Sequence, residues 1–508
     1  AYLARWADER PSDIAVVSGT ERVTWRDLRE RVDRCASGFA RLGVGRGDVV
    51  AMLAPQRWEF VVVYLTLDRL RAVFLGLNTR HQPPELELVL NDAQPTVLLT
   101  VGDFNGRDYL RDARDLKDRC PSVSTLIAVR AEAPGELTFD GLLPASGSLP
   151  GIPAAVPATE PACIVYTSGS TGRAKGAVLP RRGLLTNHRA LARAVAHTPF
   201  RAQCDHPIDH VGGIDRLYLV VILGGTLVLA ERFRPQDLPG QIAAERISYW
   251  MGEATQFIRC REYLPGHDLP DLREICFVGA LPGDLLAELA QMAPALMTGY
   301  GMTECCSAVI RSGWDTDLPA LARGVIGPML DSMAGRIVGA AGRVCGPDEV
   351  GELQIRSACL FTEYLGLPEE TRERFTPDGW FATGDLFAQD ETGAYRFVAR
   401  MGDVFSAGGY SIYPREIEAA AAAHPAIAEA ALIGVPDPTY GSVGWLYFTG
   451  VPGSQVTHEE LRDFLRHRIA NYKIPARSIQ LDIMPHLPNS KVDVKELRRR
   501  ADDALAGA

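Results

Sequence analysis

Residues 166–180 read Tyr-Thr-Ser-Gly-Ser-Thr-Gly-Arg-Ala-Lys-Gly-Ala-Val-Leu-Pro, from Tyr166 to Pro180. Three glycines, four aliphatic hydroxyls (Thr167, Ser168, Ser170, Thr171) and two cations lie between the apolar runs Cys163–Tyr166 and Ala177–Leu179. Backbone N–H groups of such a turn, its hydroxyls and the Lys175 ammonium suit a polyphosphate. A Walker loop is excluded: that motif needs Gly before the lysine and Ser or Thr after it, whereas here Ala174 precedes Lys175 and Gly176 follows. No Gly-x-Gly-x-x-Gly opens a helix, so the dinucleotide fingerprint fails too. Taken alone, the segment also reads as a Gly/Ser surface turn.

The chain has 508 residues, too many for one core, so two or more units are expected. A formal charge of −10, from 53 basic and 63 acidic groups, argues against nucleic acid or an anionic membrane as the main partner. The longest apolar stretch, Leu217 to Ala230, is broken by Gly224-Gly225, is too short to span a bilayer, and suits buried strands. Ten cysteines occur without Cys-x-x-Cys spacing, which argues against a metal cluster or disulfide framework and fits a reducing, cytoplasmic setting. The first residue is Ala, which points to a processed or trimmed start.

Thr24-Trp-Arg-Asp27 predicts a helix cap, with Leu28, Val32, Cys35, Phe39 and Leu42 at helical spacing behind it. Short apolar runs at Val49–Leu53, Val97–Leu99, Thr125–Val129, Thr226–Leu229 and Ile275–Val278 alternate with helical stretches such as Leu184–Val195. That alternation predicts α/β layers on a largely parallel sheet. The texture changes near Ala399: Gly402, Gly408 and Gly409 punctuate the chain, and Pro414 opens an Ala-rich helix. A strand over Ala430–Val435, a capping box at Thr457–Glu460 with a helix to Ile469, a strand over Ile479–Met484 and a charged last helix follow. These make a small α+β domain of about a hundred residues.

Further segments carry chemistry. His210-Val-Gly-Gly213 follows Pro207, and Tyr300-Gly-Met-Thr-Glu304, Gly324-Val-Ile-Gly-Pro328, Val350-Gly-Glu-Leu353, Asp378-Gly-Trp-Phe-Ala-Thr-Gly-Asp385, Tyr472-Lys-Ile-Pro475 and Lys491-Val-Asp493 come after it in that order. With the loop at 166–176, this ordered set resembles the adenylate-forming superfamily, closest to acyl-CoA synthetases, over almost the whole chain. Singly, Glu304 is an ordinary helix-start acid, Asp385 a turn residue and His210 a core histidine. Cys305 and Cys306 read as packing residues.

The resemblance implies a large N-terminal domain of layered α/β sheets (1–401) and a small mobile C-terminal lid (402–508). The lid would rotate about a hinge near Arg400–Asp403, with Gly402 as pivot. It implies ATP, Mg²⁺ and CoA. Thr167, Ser168, Gly169, Ser170, Thr171, Gly172 and Lys175 would hold phosphates, Thr303 the α-phosphate, and Glu304 the Mg²⁺. Tyr300 would stack on adenine beside Gly279, Ala280 and Gly301; Asp385 and Arg400 would contact the ribose. Lys491 would bridge the substrate carboxylate and the α-phosphate. Gly408, Gly409 and Lys473 would flank the CoA arm.

Three positions depart from the pattern: Ala399 replaces the usual Gly before Arg400, Gly402 replaces the usual Asp or Lys, and Asn489-Ser490 precede Lys491. Amino-acid-activating relatives carry an Asp after the pocket His or aromatic; here Val211 follows His210 and cannot pair with an ammonium. His210, Val211, Gly212 and Met302 would line a mainly apolar acyl pocket, with Asp209 and Asp215 turned elsewhere. The expected function is an ATP-dependent carboxylic acid:CoA ligase acting on a fatty or aromatic acid. An acyl-adenylate ligase loading a carrier protein or an amine is the first alternative, and a non-catalytic nucleotide-binding relative the second.

Overall fold

The computed structural model describes residues 1–144, 157–167, 174–195, 197–340, 342–407, 410–437, 440–487 and 491–506. Ser168, Gly169, Ser170, Thr171, Gly172, Gly408 and Gly409 lie outside these. The large domain stacks two eight-stranded sheets. In the first, Ala295–Met302, Glu274–Val278, Tyr249–Glu253, Arg201–Cys204, Thr226–Leu229 and Ile14–Ser18 run parallel. Antiparallel strands Ser307–Arg311 and Glu21–Thr24 close its two edges. The second sheet is parallel from Pro161–Thr167 through Val73–Leu77, Val49–Leu53, Val97–Val101 and Thr125–Val129. At one side Lys175–Pro180 pairs antiparallel with Pro161–Thr167, setting Lys175 opposite Thr167. A third, five-stranded antiparallel sheet holds Phe381–Gln389 and Tyr395–Arg400 side by side.

Local signals placed the elements well. The Thr24 hydroxyl accepts from the Asp27 amide and the Asp27 carboxylate accepts in return, starting the helix Trp25–Arg41. The five expected strands all form, each within two residues of its expected ends. Leu217–Leu223 is a correction. It belongs to a helix, Val211–Leu223, ended by Gly224 in the left-handed conformation (φ 68°); only Thr226–Leu229 is strand. The helix is apolar nearly all round because it is buried nearly all round, so its pattern carries no 3.6-residue period.

In the small domain Ile427–Asp437 pairs antiparallel with Gly441–Gly450, which pairs parallel with Arg477–Leu481. Alternation decides its two faces. Leu432, Leu446 and Phe448 pack with Ile417, Leu461 and Leu465, from helices Pro414–Ala422 and His458–Arg466. Ala431, Ile433, Trp445 and Tyr447 pack with Leu497 and Ala501 of the last helix, Val494–Ala506. The Thr457 capping box forms, but its helix stops at Arg466 rather than Ile469. Among the described residues no helix is long and apolar enough to cross a membrane.

Candidate active site

A cavity of about 2390 Å³ opens where the parallel strands of the first sheet end. The carboxyl ends of such strands are where α/β sheets bind ligands, because the backbone turns away and leaves a crevice. Strand Glu274–Val278 delivers Gly279 and Ala280 to it; strand Ala295–Met302 delivers Tyr300 to Met302, then Thr303 and Glu304. The second sheet contributes Thr167 and Lys175, the third Asp385 and Arg400, and the small domain Lys491. His210, Val211 and Gly212 line it as well. Every catalytic and substrate-contacting residue expected from the sequence therefore faces one space, as does every nucleotide-contacting one among the described residues.

Two glycines are needed there for different reasons. Gly279 takes φ +107°, a conformation that L side chains rarely adopt. A Cβ on Gly301 would lie 2.3 Å from the Ser307 carbonyl oxygen, so this glycine serves the pairing of strands Ala295–Met302 and Ser307–Arg311.

At the nucleotide end Tyr300 donates its hydroxyl to Asp385 Oδ2 at 2.6 Å. The Tyr300 ring packs edge-on to Phe387, with centroids 4.7 Å apart. Asp385 Oδ1 is buried without a hydrogen-bond partner, and Arg400 Nε stands 3.7 Å from it. Burial, then the Asp385 charge, pushes the Tyr300 phenol well up, so it stays a donor. Glu304 is buried at the start of a short 3-10 turn, Thr303–Cys305, and its Oε1 accepts from the Tyr364 hydroxyl at 2.7 Å. Lys175 Nζ lies 5.3 Å from the centre of the Tyr364 ring. Tyr364 thus touches both the expected cation ligand and the expected phosphate lysine. The sequence gave no sign of this, because the three residues come from separate parts of the chain.

The donor set fits ATP with Mg²⁺. An unpartnered carboxylate oxygen on Asp385 suits a ribose hydroxyl, since a buried acceptor left unmade is costly. Carboxylate and hydroxyl oxygens on Glu304 and Thr303, facing the same space as the Lys175 ammonium, suit a hard cation bound between phosphates. Among the described residues no group of three or more His, Cys, Asp or Glu could hold a metal by itself, so such a cation would take most of its ligands from the nucleotide.

At the other end His210 caps helix Val211–Leu223, its Nδ1 accepting from the Gly212 amide at 3.0 Å. Burial, reinforced by the charges of His206 and Lys491, pushes its pKa down to about 3. A neutral ring with Nδ1 as acceptor follows. Gly213 is a packing glycine: its Cβ would meet the Pro207 carbonyl at 2.5 Å. Asp209 turns toward Asn78, as expected. Asp215 does not turn away, and the pocket is not mainly apolar. Asp215 lines the cavity, bonded to His188 at 2.7 Å and Ser307 at 2.6 Å, and the fully buried Arg216 lines it beside Asp215. The helical turn missed in the sequence is what points them inward.

On the small domain Lys491 faces the cavity, while Lys473 bonds Glu416 off its wall. Gly402 sits between the third sheet, whose last strand ends at Arg400, and the next strand, which starts at Phe405. All ten cysteines are free thiols.

Residues 3–365 match the AMP-binding enzyme family, and residues 416–491 match the AMP-binding enzyme C-terminal domain. Feruloyl-CoA synthase of Amycolatopsis sp. is 31% identical, covering 98% of each chain. Among solved structures, o-succinylbenzoate CoA synthetase of Bacillus subtilis in complex with its acyl-adenylate intermediate is 27% identical. It superposes with a TM-score of 0.84 over 98% of this chain and 97% of that one. The same enzyme is known in complex with ATP and a magnesium ion. The amide bond synthetase McbA of Marinactinospora thermotolerans is 25% identical, with a TM-score of 0.87 over 98% of both chains. Two matched domains in series, and a cavity that gathers the motif residues of both, make this chain a member of the AMP-binding, adenylate-forming enzyme family.

Proposed function

We propose that this chain joins a carboxylic acid to CoA at the expense of ATP, through an acyl-adenylate. The observation that carries the reading is the convergence of Lys175, Thr303, Glu304, Asp385 and Lys491, from three sheets and both domains, on one cavity. Carboxylate and ATP are both anionic, so their reaction needs charge neutralisation and in-line positioning rather than a protein nucleophile. Mg²⁺, held by Glu304 with phosphate oxygens, supplies part of that neutralisation. Lys175 and the hydroxyls of the 167–171 loop hold the phosphates, Thr303 the α-phosphate, and Asp385 with Arg400 the ribose. Tyr300 and the backbone at Gly279–Gly301 flank the base. Lys491 meets the charge that develops between the acid and the α-phosphate. His210 stays neutral beside the acyl group and adds no cation to compete for the carboxylate.

The domain boundary belongs to this proposal: residues 1–401 form the nucleotide and acyl unit, and 402–508 a lid that pivots at Gly402. The end of the third sheet at Arg400 supports that placement. After adenylate formation the lid turns, and the CoA thiol displaces AMP, with Gly408, Gly409 and Lys473 along its path. A cytoplasmic setting suits ten unpaired thiols. The acid is a fatty or aromatic one of medium length. The likeness to an amide bond synthetase keeps an amine as a second acceptor reading, with a carrier protein beside it.

Pyrophosphate release from ATP and Mg²⁺, across fatty, aromatic and amino acids with and without CoA, tests the proposal. Acid-dependent release that accelerates with CoA is expected. Release indifferent to CoA would move the acceptor to an amine or a carrier protein. Silence across a broad panel would leave a nucleotide-binding protein without this chemistry.

A further inference from the structure

The acyl end of the cavity holds a cation that a plain hydrocarbon acid does not need. Arg216 lies on the second turn of helix Val211–Leu223, is fully buried, and lines the cavity six residues after His210. Its Nη1 donates to the Gly212 carbonyl at 2.5 Å and its Nη2 to the Met251 carbonyl at 3.1 Å, with His206 Nδ1 at 3.4 Å. Its Nε has no acceptor, and among the described residues no carboxylate pairs with it. Burying a guanidinium without a complete set of acceptors costs several kcal/mol, and a leucine here would cost nothing if the pocket served only hydrocarbon.

Gly212 keeps this group reachable. A Cβ there would lie 2.9 Å from both His206 Cδ2 and His210 Nδ1, and 3.2 Å from Arg216 Nη1. Any side chain at 212 would crowd the point where the three meet.

The surrounding charges are already matched. Asp215 faces His188, both of whose ring nitrogens lie against acceptors, and Arg311 is ion-paired with Glu274. Asp205 lies behind Arg216 with His206 between them, its Oδ1 3.4 Å from His206 Nδ1. A second carboxylate brought in by the substrate would add an uncompensated charge and face Asp215 across the cavity. A neutral oxygen would accept from the guanidinium without upsetting that balance.

We propose that Arg216 selects the acid: the preferred substrate carries an uncharged oxygen acceptor (keto, hydroxyl or ether) on the part of its acyl group that reaches this guanidinium. The inference rests on the acid-activating function above and narrows its substrate class.

The test is kcat/KM for pyrophosphate release, measured on acids matched in length. The pairs are phenylpropanoate against its para-hydroxy analogue, and octanoate against its penultimate-keto analogue, with octanedioate as the charged control. The oxygenated member is expected to win by about tenfold or more, because a site built around a donor discriminates against partners that leave it unpaired. Octanedioate is expected to do no better than octanoate. In Arg216→Met both oxygenated-to-plain ratios should collapse to about one, while Arg216→Lys should keep part of them. Equal kcat/KM within each wild-type pair overturns the proposal, even if no variant folds. So does a preference for octanedioate, or a ratio that survives Arg216→Met, which would leave Arg216 as a brace between Gly212 and Met251. Silence with every acid takes down the acid-activating reading with it, whereas turnover without discrimination removes this inference alone.

Discussion

The Tyr300 hydroxyl donates to Asp385 Oδ2 at 2.6 Å, joining the first sheet to the third and leaving Asp385 Oδ1 as a buried acceptor without a partner. The phenol fixes which carboxylate oxygen is open and where it points. A hydrogen bond to a charged group is worth roughly 1.5–3 kcal/mol. Tyr300→Phe should raise the KM for ATP about tenfold with a smaller change in the KM for the acid, and Asp385→Asn should raise it further. Steady-state kinetics with ATP and acid varied in turn would check this; a rise confined to the acid would place the pair outside the nucleotide site.

Tyr364 holds Glu304 from the opposite side. Removing its hydroxyl frees a buried carboxylate that the proposed function needs in one position. Tyr364→Phe should lower kcat roughly tenfold, the scale of one lost charge-assisted bond, and raise the Mg²⁺ concentration for half-maximal rate. An Mg²⁺ titration of the variant distinguishes this from a general loss of stability, which would leave the titration midpoint where it was.

Lys491 faces the cavity from the small domain. Lys491→Ala should nearly abolish adenylate formation, yet largely spare thioester formation from a supplied acyl-adenylate. Equal losses in the two half-reactions, assayed separately, would sink that role.

Gly402 has open space around it, so a ring could be built there without a clash. Because proline fixes φ, Gly402→Pro should slow thioester formation more than adenylation. Single-turnover assays of each step would show it; matched slowing would argue that the pivot lies elsewhere.

His210 links pH to stability. Its folded-state pKa is pushed down to about 3, whereas an exposed histidine titrates near 6.5. Between those values the unfolded chain binds more protons, so stability is full above about 6.5 and falls as pH drops, by up to about 1.4 kcal/mol per pH unit. His210→Asn keeps an acceptor for the Gly212 amide but removes the titration. Its melting temperature should fall less than that of the wild type between pH 6.5 and 5. Parallel curves would show that His210 is not a source of the acid sensitivity.

Much of this was legible in the sequence because it depends on neighbours along the chain. Thr24 and Thr457 cap their helices with side chains three residues ahead, and the short apolar runs become strands wherever turn residues bound them. The phosphate-binding composition at 166–180 and the order of the later motifs identified the family for the same reason. Where the pattern lost its period, at Leu217–Leu223, the reading failed, since a helix buried on every side and a buried strand are equally apolar.

The sequence by itself determined the fold class, the two-domain order and the set of residues that meet the nucleotide. Only the tertiary structure decided that Tyr300 binds Asp385, that Tyr364 steadies Glu304, and that Arg216 stands unpaired in the acyl pocket. Each of these depends on contact between segments far apart in the chain, or on the face a helix turns inward. Spacing cannot encode such contacts: they are set by how sheets and helices pack, and the energetic weight of a buried polar group appears only once its partners are in place.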